Sequence, residues 1–465
     1  MKFRIYLLIL FAWFLLEGCS DLGEEEPVKP NIIIIFADDL GYGDLGCYGN
    51  PTIRTPNLDR MAQEGMKFTQ FYTGASVCTP SRAALLTGRL PIRFGMASSR
   101  FRVLFPFSIS GLPQSETTLA EALKERGYAS AIFGKWHLGH FEEFLPLQHG
   151  FDEYYGIPYS NDMSPSTNPW SRAQSFPGLP LIEGNSIIEN EPDQRELTRT
   201  YTEKALNFIE RKKDEPFFLY MPHTFPHIPL YANPEFEGTS SRGLYGDVVE
   251  EIDWSVGKVL EKLKELNLDD NTFVFFTSDN GPWLTKEEDG GIAGLLRQGK
   301  GSTWEGGMRV PGIAWWPGKI SAGLTTQALA TTMDLYATSL DLAGVEVSPD
   351  RELDGGSLSP VILENKDSDR DEIIYYLGSE LFAYRNGVWK VHFKTLSPYI
   401  GEGAETHDPP LLYNVEVDPS ERFNKANDHP EIVQELIALA NKHKENVKPV
   451  RDRLAEVDSV MLGLK

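Results

Sequence analysis

Two periodicities of apolar residue alternate along most of the chain. Asn31-Ile32-Ile33-Ile34-Ile35-Phe36 is an unbroken apolar, mostly β-branched run, the pattern of a parallel strand buried on both faces. Shorter runs recur at 129–133, 216–221 and 273–277. Helical spacing lies between them: Leu58, Met61 and Ala62 follow Thr55-Pro56, and Val248, Ile252, Val256, Val259, Leu260 and Leu263 form one stripe over 244–266. Strands alternating with helices predict an α/β domain with a mostly parallel central sheet flanked by helices. After residue 365 the pattern changes. A polar break leads to short strand-like runs, two of them separated by Asn386-Gly387, a hairpin signal, and a last helix is expected over 430–443. This predicts a smaller C-terminal unit with an antiparallel sheet and one helix.

The amino terminus has another logic. Lys2 and Arg4 precede an apolar run from Ile5 to Leu16, roughly 18 Å as a helix and short of a ~30 Å bilayer core. That is the layout of a secretory signal. Leu16-Glu17-Gly18-Cys19-Ser20 resembles a bacterial lipobox, with Glu17 where a small residue is usual. The expected division is a signal peptide of lipoprotein type over 1–18, an acidic tether over 19–30, a catalytic domain over 31–365 and a small α+β subdomain over 366–465. A lipid anchor at Cys19 would place the protein outside a bacterial cytoplasm, in the periplasm or on the outer membrane. Ordinary secretion with Cys19 incidental is the alternative.

Composition narrows the function. The 465 residues carry 67 acidic against 44 basic side chains, a formal charge of −23, which argues against a nucleic-acid partner. Three cysteines exclude a disulfide scaffold. The first strand ends in Asp38-Asp39, and the 273–277 strand runs into Ser278-Asp279-Asn280. Ligands in parallel α/β sheets sit at the carboxyl ends of strands, and crowded carboxylates there call for a cation. Hard oxygen donors point to calcium or magnesium before zinc. Thr79 is a plausible helix N-cap with Pro80 as first helical residue, which places Cys78 just ahead of a helix N-terminus and Arg82 within a turn of it.

Four segments then coincide. Cys78-x-Pro80-x-Arg82 with Ala83-Ala84-Leu85-Leu86-Thr87-Gly88 resembles the signature of type I sulfatases, which depend on formylglycine. Asp38-Asp39-x-Gly41-Tyr42-Gly43-Asp44, Gly134-Lys135-Trp136-His137-Leu138-Gly139 and Gly299-Lys300-Gly301-Ser302-Thr303-Trp304-Glu305-Gly306-Gly307 resemble its other motifs, in the same order. The likeness extends to Gly156-Ile157-Pro158-Tyr159-Ser160 and Pro409-Pro410-Leu411-Leu412-Tyr413, and is nearest to the arylsulfatase A and N-acetylgalactosamine-6-sulfatase branch.

The resemblance implies an alkaline-phosphatase-like large domain and hydrolysis of sulfate esters. It implies oxidation of Cys78 to Cα-formylglycine by a separate maturase, and one calcium ion bound by Asp38, Asp39, Asp279 and Asn280 with residue 78 facing it. A hydroxyl of the hydrated aldehyde attacks sulfur, assisted by Arg82. His137 takes the proton that releases sulfate, and Lys135 and Lys300 hold sulfate oxygens. His227, with His223 as alternative, protonates the leaving alcohol, and Ser160 touches substrate. Standing alone, Lys135 and Lys300 also read as surface lysines lying over tryptophans, and His137 as a core histidine. His407 is a further substrate-side candidate, and Cys47 an idle thiol. The expected substrate is a sulfated sugar or oligosaccharide or an aryl sulfate, short in preference to polymeric because the surface is so acidic. The rivals are a phosphoester or phosphonate hydrolase of the same architecture, and a non-catalytic lipoprotein that binds sulfated glycans.

Overall fold

The computed structural model describes residues 29–167, 173–348, 351–398, 403–448 and 450–461. The leader, Cys19 and nearly all of the tether lie outside these residues. Across the large sheet, the strands run Leu324–Thr326, Met66–Tyr72, Arg309–Trp315, Thr272–Ser278, Asn31–Ala37, Phe217–Pro222, Ala129–Phe133, Glu153–Gly156, Pro180–Glu183 and Ser186–Asn190. Ala330–Thr331 pairs beside Met66–Tyr72. The centre is parallel, and antiparallel pairs occur where Arg309–Trp315 joins its two neighbours and at the Pro180–Glu183 hairpin.

Asn31–Ala37 shows why the run is uniformly apolar. Ile33 and Ile35 enter a core shared with the helices Pro56–Glu64, Leu197–Lys212 and Leu244–Glu265. Ile32, Ile34 and Phe36 enter the opposite core, formed with Cys78–Thr87, Leu119–Lys124 and Thr332–Ala343. Both faces are dry, so alternation would have buried polar groups. Each fully buried isoleucine contributes roughly 1.5–3 kcal/mol.

The second sheet has four antiparallel strands in the order Glu372–Leu377, Glu380–Asn386, Trp389–Thr395 and Glu405–Asn414. Gly387 has φ +53 in the hairpin turn that Asn386-Gly387 predicted. Helix Pro430–Asn446 covers the sheet with Val433, Leu436 and Ala440 against Tyr384, Val391 and Leu412. Pro409 and Pro410 are accommodated because Glu405–Asn414 is an edge strand.

One local expectation is corrected. Thr79 does not cap the helix: Cys78 is already its first residue and Val77 precedes it without a side-chain cap. The Thr79 hydroxyl instead donates to His137 O at 3.1 Å and accepts from Leu104 N at 3.1 Å, tying two loops together above the helix start. Among the described residues, no helix is long and apolar enough to cross a membrane.

Candidate active site

Strand register builds the site. Ala37 pairs with Ser278, so Asp38 and Asp279 leave adjacent parallel strands side by side. Asp39, at φ +68, turns the chain and donates its N–H to Asp279 Oδ1 at 3.1 Å. Gly134 follows the Ala129–Phe133 strand at φ +141, and a Cβ there would lie 1.9 Å from Pro222 O. Only glycine lets Lys135 begin its bond to Pro222 O, at 2.7 Å, and swing into the site. Cys78 and Arg82 stand one helical turn apart on the buried helix Cys78–Thr87 and share a face.

Ion pairs tie these elements together. Arg82 donates Nε and Nη2 to Asp279 Oδ2 at 3.1 and 2.9 Å, and Nη1 to Lys135 O at 2.8 Å. Lys135 Nζ lies 2.5 Å from Asp38 Oδ2 and donates to Ser160 Oγ at 3.1 Å. Lys300 Nζ is 2.8 Å from Asp39 Oδ2, and Asn280 Nδ2 donates to Asp39 Oδ1 at 2.7 Å. His227 Nε2 lies 3.2 Å from Ser160 Oγ and 3.7 Å from Asp39 Oδ2, while its Nδ1 contacts Ile228 O at 2.5 Å. His137 sits at φ +59 with Nε2 2.9 Å from Leu104 O. A carbonyl only accepts, so each histidine carries its proton on the bonded nitrogen. His137 Nδ1 and His227 Nε2 are left with their lone pairs.

Electrostatics divides the three aspartates. Burial alone would raise Asp38, but Lys135 and Arg82 hold it well below the usual range. Burial raises Asp39 against the pull of Lys300, with the charge of Asp38 adding to the rise. Asp279 is raised by burial and then by Asp38, against Arg82. Burial pushes the Cys78 thiol up to about 11. Both histidines fall well below their ordinary value, by burial first, then by Lys135 for His137 and by Lys300 and Lys135 for His227.

Ligand atoms of Asp38, Cys78 and Asp279 lie within 4.8 Å of one another. Around them Asp38 Oδ1 and Asn280 Oδ1 are buried without a hydrogen-bond partner. Orphaned hard oxygens beside raised carboxylates fit a bound divalent cation of the calcium or magnesium type.

Cys78, Arg82, Lys135, His137, Ser160, His227, Lys300, Asp38, Asp39, Asp279 and Asn280 therefore come together. His223 stands apart: burial alone depresses it, to about 4, and neither ring nitrogen has a partner. The His407 ring is engaged by Thr395 Oγ1 at 2.8 Å. Cys47 and Cys78 are both free, and burial raises Cys47 to about 12. Lys300 does lie over a tryptophan, Trp283 at 4.2 Å, yet its ammonium is on Asp39.

Two residues of the pocket escape sequence reasoning. Asp162 has an unpartnered buried Oδ1 and is raised by burial, against the fields of Lys300 and Lys135. Trp283 packs its ring 5.2 Å from that of His227. Their positions, two residues after Ser160 and three after Asn280, are the only signals the sequence offers for them.

Comparison with known proteins defines the class first. The sequence model of the Sulfatase family covers residues 30–345, and that of the C-terminal region of aryl-sulfatase covers 368–462. The chain belongs to the sulfatase family and is an enzyme that hydrolyses sulfate esters. It is 42% identical over 463 residues to N-acetylgalactosamine-6-sulfatase of Homo sapiens, covering 92% of this chain and 88% of that one. It is also 42% identical over 444 residues to human arylsulfatase A, covering 88% and 87%. Among solved structures, the PsFucS1 sulfatase from Pseudoalteromonas sp. superposes with TM-score 0.83 at 28% identity, over 98% of this chain and 96% of that one.

Proposed function

We propose that this sulfatase acts on a small sulfated sugar, with Cys78 oxidised to Cα-formylglycine by a maturase and one calcium ion held by Asp38, Asp39, Asp279 and Asn280. The observation that carries the reading is the pair of orphaned oxygens, Asp38 Oδ1 and Asn280 Oδ1, around the buried residue 78. A thiol there is soft among hard oxygen donors, and its raised pKa makes it a weak nucleophile. Conversion to an oxygen-bearing group answers both difficulties. When present, the hydrated aldehyde supplies the attacking oxygen and a second hydroxyl for release of sulfate, and the cation supplies positive charge.

The chain's own residues do the rest. Arg82 locks Asp279 and the Lys135 carbonyl, which fixes the helix start against the two strand ends. Lys135 and Lys300 hold sulfate oxygens, and Ser160 Oγ stands between Lys135 and His227 to orient them. His137 accepts a proton at its bare Nδ1. His227 gives a proton from Nε2 to the departing alcohol oxygen. The incoming anion offsets the lysine charges that depress this ring and so favours its protonation. A sugar as leaving group is supported by the relative named for N-acetylgalactosamine-6-sulfate chemistry. The ligand group contains no histidine, which argues against the two-metal phosphoester alternative.

A panel of sulfated mono- and disaccharides, aryl sulfates and matched phosphates, run on protein made beside an active maturase, tests this. Turnover confined to sulfate esters is expected, and faster turnover of the phosphates would overturn the reading. An H227A enzyme with intact turnover would refute the acid assignment. The address proposed is export with lipidation at Cys19. Labelling with a fatty acid tests it, and an unlabelled wild-type protein would refute it.

A further inference from the structure

Immediately after the ion-binding pair Asp279-Asn280, the chain makes a tight turn, Gly281-Pro282-Trp283-Leu284-Thr285-Lys286. The turn is clamped to the lysine loop, since Lys300 donates its backbone N–H to Pro282 O at 2.9 Å. Trp283 is half-buried. Its ring centre lies 4.2 Å from Lys300 Nζ, and the His227 ring lies 5.2 Å away at 52°. One indole thus forms a wall beside both the group assigned to sulfate oxygens and the group assigned to the leaving alcohol.

Lys286 lies on the same ring, with Nζ 4.4 Å from its centre. Lys286 N–H donates to Trp283 O at 2.9 Å, the i to i+3 bond of a 3-10 turn that stacks the two side chains. Among the described residues this ammonium pairs with no carboxylate, although Glu287, Glu288 and Asp289 follow it directly. Glu287 takes φ +56, and Arg242 grips Glu288 O at 2.8 Å, so the backbone turns sharply just past the lysine. Lys264 reaches Glu64 at 2.9 Å and Lys262 reaches Glu265 at 3.0 Å, whereas Lys319, Lys442, Lys444 and Lys448 share the unpaired state of Lys286 among the described residues; what sets Lys286 apart from those four is the indole it lies on, beside Lys300.

We infer that Trp283 and Lys286 form a second subsite beside the sulfate position, which takes the sugar ring of a substrate carrying another anionic group close to the scissile sulfate. The inference rests on the proposed function and names its substrate class. The half-buried indole, already flanked by Lys300, Lys286 and His227, gives the subsite an apolar wall for the C–H groups of a pyranose. The Lys286 and Lys300 ammonium groups share one ring, so they are separated by no more than the sum of their distances to its centre. That limit lies within the reach of two anionic substituents on one sugar or on neighbouring sugars. Asp162, with its unpartnered oxygen in the field of Lys300 and Lys135, is placed to accept hydroxyl groups of the bound sugar.

The test is calorimetric binding to full-length, calcium-loaded C78A protein, which lacks the reacting group. The probes are two sulfated disaccharides that differ only in a hexuronate carboxylate or its reduced alcohol. Tighter binding of the carboxylate, by about tenfold at low salt, is expected, and K286Q in the same background should reduce that preference to about twofold or less. W283A should weaken both ligands by about tenfold, and W283F, which keeps a ring, by less. No preference in C78A, or a preference that K286Q leaves intact, would overturn the subsite. Turnover by the matured wild-type enzyme is measured separately. If it fails while the binding preference holds, the catalytic reading falls and the subsite stands.

Discussion

Two clusters of charge lie buried in this molecule, and they are built on opposite plans. Around Cys78, Asp38, Asp39 and Asp279 crowd one another, two of them are raised by burial and by their neighbour Asp38, and ligand oxygens are left without partners. Where the two sheets meet, Glu305 and Glu421 are surrounded instead. Glu305 Oε1 accepts from Tyr375 at 2.9 Å and Lys390 at 3.0 Å, and its Oε2 accepts from Tyr72 at 2.5 Å. Glu421 Oε1 lies 2.7 Å from His392 Nε2 and 2.9 Å from Lys390, and its Oε2 accepts Glu305 N–H at 2.7 Å. Burial would raise Glu305, but Lys390, Arg309 and Arg385 hold it well below its ordinary value. The second cluster is closed at its carboxylates, whose oxygens all have partners although His392 Nδ1 has none, and it holds the small sheet to the lysine loop, because Lys390 also donates to Thr303 O at 2.8 Å. The first leaves Asp38 Oδ1 and Asn280 Oδ1 without hydrogen-bond partners, which fits the cation proposed for it. Buried charge alone therefore does not mark an active site, and neither does a single unpartnered atom such as Glu251 Oε1; what distinguishes this place is several raised carboxylates and bare oxygens gathered around one residue.

Asp39→Asn should break the comparison most visibly. Turnover should fall at least roughly thousandfold, about 4 kcal/mol, because a ligand of the proposed cation is lost. The thermal stability of the metal-free protein should hold or rise. A carboxylate whose folded pKa is raised destabilises the native state at neutral pH, so removing its charge relieves that burden. A clear fall in unfolding temperature would mean the site is not under strain.

Lys390→Met makes the opposite change. It leaves Glu305 and Glu421 short of a buried partner and should lower stability by about 3–5 kcal/mol in chemical denaturation. A loss below about 1 kcal/mol, the size of an exposed pair, would show that the second cluster is not closed.

The pH dependence should separate the clusters further. His392 is held neutral, by burial first and then by Lys390, with its pKa moved from 6.5 to about 4. Between those values the unfolded chain binds a proton that the folded chain does not, so stability rises with pH and is lost on acidification through this window. Its share is on the order of 3 kcal/mol. A His392→Gln variant should lose that part of the slope between pH 6.5 and 4, and an unchanged slope would contradict the buried neutral ring.

The smallest loss of stability concerns the cation. Chelation should abolish turnover yet remove only about 2.7 kcal/mol of stability if calcium had stood at a hundred times its Kd, with both restored by calcium. Retention of activity after exhaustive chelation would contradict the open-site account.

Much of the open cluster is legible in the amino-acid sequence. The strands are marked by consecutive apolar residues, and the proposed ligand residues follow them directly, so local order places Asp38, Asp39, Asp279 and Asn280. Cys78 and Arg82 share a face because four residues make about one helical turn. The rest depends on chain crossings that no period encodes. Glu305 and Glu421 are far in sequence from each other and from Lys390 and His392, which share one strand, and the four meet only when the two sheets dock. Thr79 misleads because its cap signature is local, whereas the partners its hydroxyl finds, His137 and Leu104, belong to other loops. Trp283 gives no signal because an aromatic residue in a turn is ordinary until its neighbours are known.

The central claim is that residue 78 of the working enzyme is no longer a thiol. The most direct measurement is the mass of the peptide spanning Cys78 from protein made with and without an active maturase, set against the specific activity of each preparation. The account predicts that sulfur is replaced by a carbonyl oxygen in a fraction that rises in proportion to activity. Full activity in a preparation whose residue 78 remains an intact cysteine would contradict it.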